Sequence, residues 1–183
     1  MSKTKKDELL DLATRIKSAC ETLAGLKEEV EKALADGKLF NPDSVAWIDL
    51  GLPSGRLWAS ENAEGYFNYD EASETFGDYL PTGTAMAELC EFCRWTWDDD
   101  REGYLVEGPN GNSIFLPAAG YKSNNEGEVK CKGGEGNYWT SMPVFNSQTY
   151  ARSLDFDSGY IDPLNYGNRS YGFSVRPSRE KSF

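Results

Sequence analysis

Eight small or apolar side chains recur along residues 7–36 at intervals of three and four: Leu9, Leu12, Ile16, Ala19, Leu23, Leu26, Val30 and Ala33. Glu8, Arg15, Lys27 and Glu29 flank them. This unbroken heptad pattern predicts a helix with an apolar seam of period 3.5. A helix packed on its own domain usually carries a wider stripe of period 3.6. The strict seam therefore points to an intermolecular coiled coil; a helix folded back on its own domain is the other reading. Alanine at Ala19 and Ala33 makes the seam thin. Gly37 is the expected helix stop, and Asn41-Pro42-Asp43-Ser44 the expected linker.

Beyond Val45 the pattern changes to short runs separated by turn residues. Ala46–Leu50 and Arg56–Ala59 read as strands around a Pro/Gly turn, Tyr69–Tyr79 as a short helix interrupted by Gly77, and residues 84–94 as a second helix. Trp95-Thr96-Trp97 alternates like a strand and ends in the acidic run Asp98–Asp100, which reads as a solvated loop. Pro109-Asn110-Gly111 between two apolar runs is a hairpin signal. Lys122–Glu135 reads as an exposed polar excursion. Two further strands are expected at Gly136–Ser141 and Tyr171–Pro177, with Tyr138, Trp139, Phe173 and Val175 buried. Between them Ala151 is small, and Leu154 and Phe156 alternate with Ser153, Asp155 and Asp157, as in a strand with one buried face. The rest of residues 143–171 is rich in Asn, Ser, Asp, Gly and Tyr, a composition suited to contact: tyrosines for rigid area, small polar groups for adaptable hydrogen bonds. The expected architecture is an α+β domain of short antiparallel strands and two short helices, preceded by a long helix. The expected organisation is residues 1–40 for the helix, 41–44 for the linker and 45–183 for the domain.

Composition narrows the chemistry. The chain has 183 residues, is 39% hydrophobic and carries a net charge of −11, which leaves room for a packed core and argues against a phosphate backbone as partner. From Pro143 onward, however, four acids (Asp155, Asp157, Asp162, Glu180) face five bases (Arg152, Arg169, Arg176, Arg179, Lys181). The contact-rich stretch is thus expected to be near neutral. With no histidine, His-based triads and His metal ligands drop out. Cys90 and Cys93 form a C-x-x-C, but they share a helical face with Met86 and Leu89, which suits core thiols better than a metal set. No metal or other cofactor is expected. No apolar run approaches the roughly 20 residues of a membrane span, and the charged start lacks a signal-peptide core.

Several blocks are recognisable in order. Ile48-Asp-Leu-Gly-Leu-Pro-Ser-Gly-Arg-Leu-Trp-Ala59, Ser113-Ile-Phe-Leu-Pro-Ala-Ala-Gly-Tyr121, Gly136-Asn-Tyr-Trp-Thr-Ser141 and Gly172-Phe-Ser-Val-Arg-Pro177 resemble the "major paralogous domain" of gut-bacterial surface proteins. The resemblance covers about residues 45–178. It implies a C-type lectin-like fold in which two helices support small sheets and the domain's two ends lie together.

A subset of that family resembles the variable proteins of diversity-generating retroelements, in which a reverse transcriptase rewrites adenine-containing codons near the C-terminus. On that resemblance the ligand-binding positions are Val144, Phe145, Asn146, Ser147, Ser153, Asp155, Asp157, Ser158, Tyr160, Ile161, Asp162, Leu164, Asn165, Tyr166, Asn168, Ser170 and Tyr171. Ala151, Leu154, Phe156, Arg169 and Gly172 are the scaffold positions between them. An ordinary polar loop shares this composition. The Glu-Pro-Asn, Gln-Pro-Asp and Trp-Asn-Asp motifs of calcium-dependent lectins are absent, as is the late cysteine pair of the related formylglycine-generating enzymes.

The expectation is a non-enzymatic receptor-binding protein, for instance at a phage tail tip. It would be trimerised by Leu9–Ala33, made in the cytoplasm and displayed on the virion or otherwise outside the cell. Its partner would be a host-surface protein or glycan, with other virion proteins alongside it and neither nucleic acid nor inserted membrane as a partner. A structural or assembly protein, or a surface adhesin without diversification, using the same fold as a spacer, is the competing expectation.

Overall fold

In a computed structural model that describes residues 4–35, 39–124, 127–181, the chain divides into two units, residues 1–41 and 42–183. The first is built on a single α-helix, α1 (Lys5–Ala35). Two lysine–glutamate pairs one turn apart, Lys17–Glu21 and Lys27–Glu31, lie on its surface and add only tenths of a kcal/mol each. Its apolar seam is open to solvent, from 49% exposed at Leu12 and Val30 to 65% at Leu23. The stop expected at Gly37 lies outside the described residues.

The second unit is α+β. Strands β1 (Trp47–Asp49), β2 (Leu57–Ala59) and β11 (Ser178–Arg179) form one antiparallel sheet with β2 in the centre. Helix α2 (Tyr69–Phe76) begins in a capping box: Asn68 accepts from the Glu71 N–H, and the Glu71 carboxylate accepts from the Asn68 N–H, which satisfies two otherwise orphaned donors. A 3-10 turn, Gly77–Tyr79, follows. Helix α3 (Gly83–Phe92) is capped by the Thr82 hydroxyl and buries Ala85, Met86 and Leu89.

Strands β3 (Arg94–Asp98), β4 (Gly103–Glu107) and β5 (Ser113–Pro117) form an antiparallel meander. Its Pro109-Asn110-Gly111 turn is pinned to the first sheet, because both Asn110 and Asn112 donate to the Asp49 carbonyl at 2.8 and 2.7 Å. The acidic run closes the β3–β4 turn, with Asp99 accepting from Trp97 Nε1 and Asp98 from the Arg101 N–H. The polar excursion after Tyr121 contains a short pair of strands. Strands β6 (Tyr121–Lys122) and β7 (Val129–Lys130) pair across it.

The third sheet holds β8 (Gly136–Pro143), β9 (Tyr150–Asp157) and β10 (Tyr160–Asn168), with β9 central. One face of it meets α3 and the meander in a core of Leu50, Trp58, Met86, Leu89, Val106, Ile114, Leu116, Tyr138, Leu154 and Phe156.

Two expectations need correction. Residues 172–177 do not form a regular strand, although Tyr171–Pro177 alternates like one. Each residue pairs with a different neighbour instead. Gly172 bridges Lys122, Phe173 bridges Phe67, and Ser174 bridges Tyr138, while the Ala63 and Ala59 N–H groups donate to Val175 and Pro177. The segment is buried throughout, threaded between two sides of the domain rather than laid along one.

Arg176, counted above in the charge balance of the C-terminal stretch, is buried. Its guanidinium donates to Asn62 Oδ1 and the Ala59 carbonyl, both at 2.9 Å, and to the Phe115 carbonyl. Burial lowers its pKa to about 10, so it stays charged at neutral pH. It joins β2, β5 and the C-terminal segment as one planar fork.

Candidate ligand-binding surface

The β8–β9–β10 sheet places the contact-rich residues. Its ladder sets Asn137, Asp155 and Asp162 in one cross-strand row, and Trp139, Ser153 and Asn165 in another. Between those rows β10 bulges at Pro163-Leu164. Pro163 has no N–H for a ladder, so a break there is expected. The bulge is fastened nonetheless: Asp162 Oδ1 accepts from the Leu164 N–H at 2.9 Å, and Arg152 Nη1 donates to the Leu164 carbonyl at 2.7 Å.

The connecting turns are equally local in origin. Ser147 Oγ accepts from the N–H groups of Thr149 and Tyr150 at 3.2 and 3.1 Å, while Asn146 takes a positive φ of 57°, which Asn tolerates better than most residues. That turn holds Phe145 outward, 89% exposed. Asp157 Oδ1 accepts from the Gly159 N–H and closes the β9–β10 turn. Beyond β10, Asn168 Oδ1 accepts from both the N–H and the hydroxyl of Ser170. Arg169 pairs with Asp70 and lies 4.6 Å from the centre of the Tyr69 ring, which ties the stretch to α2.

The exposed large hydrophobic side chains are concentrated here. Among the described residues of the second unit, the large hydrophobic side chains left exposed are Met142, Phe145, Tyr150, Tyr160, Leu164 and Tyr166, with only Phe92 elsewhere. Asp157, Ser158 and Ser170 are exposed beside them, and Val144, Asp162, Asn165, Asn168 and Tyr171 are half-buried.

Two of the seventeen candidate positions do not fit a contact role. Ser153 is 0% exposed and cannot touch a ligand at the surface. Ile161, opposite Phe156 in the ladder, packs against the core. The reason is that β9 has two covered faces rather than one. Leu154 and Phe156 meet the core on one side. On the other, Ala151 and Ser153 are sealed by the returning C-terminal segment, whose Ser174 bridges Tyr138 and whose Phe173 stacks on Trp139 at 4.2 Å.

That second face is not completely filled. A cavity of about 320 Å³ opens over Gly167 and Asn168, walled by Tyr121, Tyr150, Tyr166, Tyr171 and Phe173, with Asn137 and Asp155 also lining it. Tyr121 and Tyr171 stack at 5.7 Å between ring centres, and Tyr150 meets Tyr166 edge-on at 5.5 Å. Asn137 Nδ2, Ser153 Oγ and Asp155 Oδ1 are buried without a hydrogen-bond partner. Burial pushes the Asp155 carboxyl up to about 6. The neighbouring Ser153 hydroxyl works in the opposite direction without reaching hydrogen-bond alignment, and the negative charges of Asp162 and Glu135 add to the rise. Buried polar groups of this kind ordinarily have a partner.

The cavity thus unites Asp155, Tyr166, Asn168 and Tyr171 from the expected set with Tyr121, Asn137 and Tyr150, which the sequence reading did not select. Tyr150 carried a usable signal, an aromatic residue at the head of a strand inside a polar stretch. Tyr121 and Asn137 carried none, because only the ladder and the β6 bridge bring them near.

Cys90 and Cys93 pack partly buried against the core. Burial raises their thiols to about 12 and about 11 respectively, helped by the neighbouring Cys93 and Asp162 at Cys90 and by the Glu88 carboxylate at Cys93, so both are protonated at neutral pH.

Residues 95–178 match the model of a family described as a domain of unknown function (DUF8237). The matched span runs from β3 to the start of β11 and includes the entire candidate surface. No curated protein matches the chain. No solved structure matches it either.

Proposed function

We propose that this protein is a non-enzymatic receptor-binding protein, with a C-type lectin-like head displaying a diversified surface on residues 143–171 and a coiled-coil helix that gathers several heads. One observation carries the reading: the exposed apolar side chains of the head fall almost entirely on β8–β10 and their turns. Exposed apolar groups gathered in one place mark interaction sites. The separation of display and frame supports it further. Tyr160, Leu164 and Tyr166 on β10 are exposed, whereas Ala151, Leu154 and Phe156 on the neighbouring β9, and Gly172 beyond them, are buried, so display residues can change without touching the core. Two short helices, small antiparallel sheets and a terminal strand returning beside β2 suit the lectin-like fold.

The open seam of α1 supports self-association, with a trimer as the expected state. Several heads on one particle or surface would convert weak single contacts into useful attachment. A phage tail tip, with a host-surface protein or glycan as receptor, is the setting that best combines a heptad helix with such a head.

Sequencing the gene from sibling isolates tests the reading. Substitutions confined to the exposed and cavity-lining positions of residues 143–171, with Ala151, Leu154, Phe156, Arg169 and Gly172 constant, are expected. Substitutions spread evenly over the head would overturn diversification and favour a spacer or assembly role.

A further inference from the structure

The cavity between Tyr121 and Tyr166 has a chemistry more specific than a general contact surface. Five aromatic rings wall it, in two tyrosine pairs and Phe173. Across the β8–β9 ladder Asn137 and Asp155 sit directly opposite one another and line the same space. Asn137 is only 7% exposed, and its Nδ2 lacks a partner, as does Asp155 Oδ1.

No lysine or arginine is among the residues that line the cavity. The charged groups acting on Asp155 from the neighbouring elements are Asp162 on β10 and Glu135 just before β8, both acidic. Tyr121, Tyr150, Tyr166 and Tyr171 are the other titratable groups in the wall. The site is therefore a carboxylate that lacks a cation, set among π faces that attract one. The unpartnered Oδ1 further asks for an N–H donor, which an amine retains and a fully methylated nitrogen does not.

We propose that this cavity binds an organic ammonium group bearing at least one N–H, with Asp155 as its counter-charge and the tyrosines as its cage. This rests on the reading of residues 143–171 as a ligand-binding surface and names the chemistry that this particular surface selects. A lysine side chain, an amino sugar and an ethanolamine headgroup all present that group. Asp155 and Tyr166 are themselves among the positions expected to vary, so the preference belongs to this chain rather than to every sibling.

The test is an NMR titration of the full chain with n-butylammonium, n-butanol and tetramethylammonium. Saturable shifts at the amides of Asn137, Asp155 and Gly167 are expected with n-butylammonium. Affinity for n-butanol should be weaker by at least about tenfold, and tetramethylammonium should fall between them. Asp155→Asn should cost about tenfold or more, and Tyr166→Ala several-fold. Lowering the pH from about 8 to about 5 should also weaken binding roughly tenfold, as the carboxylate takes up its proton.

N-acetyl-lysine methylamide, glucosamine and O-phosphoethanolamine then distinguish the source of the amine by their relative affinities. Equal affinity for the amine and the alcohol, unchanged binding in Asp155→Asn, or no saturable shift with n-butylammonium would each overturn the proposal. Preference for neutral glucose over every amine would make the cavity a polyol site and overturn it too. None of these results alters the sibling-sequence test, so the cation reading and the display reading can fail separately.

Discussion

Gly167 lies under the Phe173 ring so closely that a Cβ placed on it would stand 2.5 Å from both Cε2 and Cζ. The ring is held on several sides, stacked on Trp139 at 4.2 Å and edge-on to Tyr121 and Tyr171 at 6.2 and 6.3 Å. Glycine is required here by close approach. Gly167→Ala should destabilise the head by about 1–3 kcal/mol, the usual range for overpacking a filled site. Urea unfolding of the full chain, followed by tryptophan fluorescence, checks this as a lower midpoint with an unchanged slope.

Asp155 gives stability a pH dependence of definite sign. Its folded-state pKa of about 6 lies above its ordinary value of 3.8. Below about pH 3 the carboxyl is mostly protonated in both states and contributes nothing. Between about pH 4 and 6 the unfolded chain ionises while the folded chain keeps its proton, so stability falls as pH rises, then levels off. The loss is on the order of 2–3 kcal/mol. Asp155→Asn should therefore match the parent near pH 3 and exceed it by that amount near pH 7. Paired urea melts across that range isolate this carboxyl from the others.

Arg176 should be irreplaceable even by lysine. Its three planar donors reach Asn62, Ala59 and Phe115 at once, and a single ammonium cannot span them. Arg176→Met leaves two buried carbonyls without donors and should cost on the order of 3 kcal/mol. Arg176→Lys should lose a similar amount. Full stability in the lysine variant would mean that charge alone matters there.

The seam of α1 predicts assembly. Light scattering on the full chain should give an oligomer mass, expected to be a trimer. The double substitution Ile16→Asp/Leu23→Asp should give a monomer, since buried charge at two seam positions is incompatible with knobs-into-holes packing. Near-ultraviolet circular dichroism of the head should be unchanged. A monomeric parent chain would remove the avidity argument.

The four thiols should separate into two classes. Cys20 and Cys131 are exposed, although burial and the Glu135 carboxylate raise the Cys131 thiol, whereas Cys90 and Cys93 are partly buried and raised to about 12 and about 11. Thiolate is the reacting species, so a disulfide reagent at neutral pH should modify Cys20 quickly. Cys90 and Cys93 should react at least about a hundredfold more slowly than Cys20. In denaturant all four should react together.

Helices and hairpins were legible because their signals are local. Thr82 caps α3, Asn68 and Glu71 close a box at the start of α2, and Pro109-Asn110-Gly111 turns β4 into β5. Alternation along Tyr150–Asp157 likewise revealed which side chains share a face. It could not reveal what lies over that face. Ser153 and Asp155 looked solvated because they are polar, yet a segment from twenty residues further on covers Ser153 and half-roofs Asp155. Arg176 misled for the same reason, since its partners are remote in sequence. The cavity was illegible as a unit: Tyr121, Asn137 and Tyr166 meet only through strand pairing and a bridge.

The threaded segment 172–179 also sets the timing of folding. Its hydrogen bonds run back to Ala59, Ala63, Phe67 and Lys122, and β11 pairs with Trp58 across some 120 residues of chain. Contacts of such long separation are slow to form, because the entropy of closing the loop precedes any reward. On the ribosome the head must wait, with β2 lacking its β11 neighbour and Trp139 unroofed, until residue 179 has emerged. A chaperone that shields apolar strands during that interval should raise the yield of native head more than it raises the rate of synthesis.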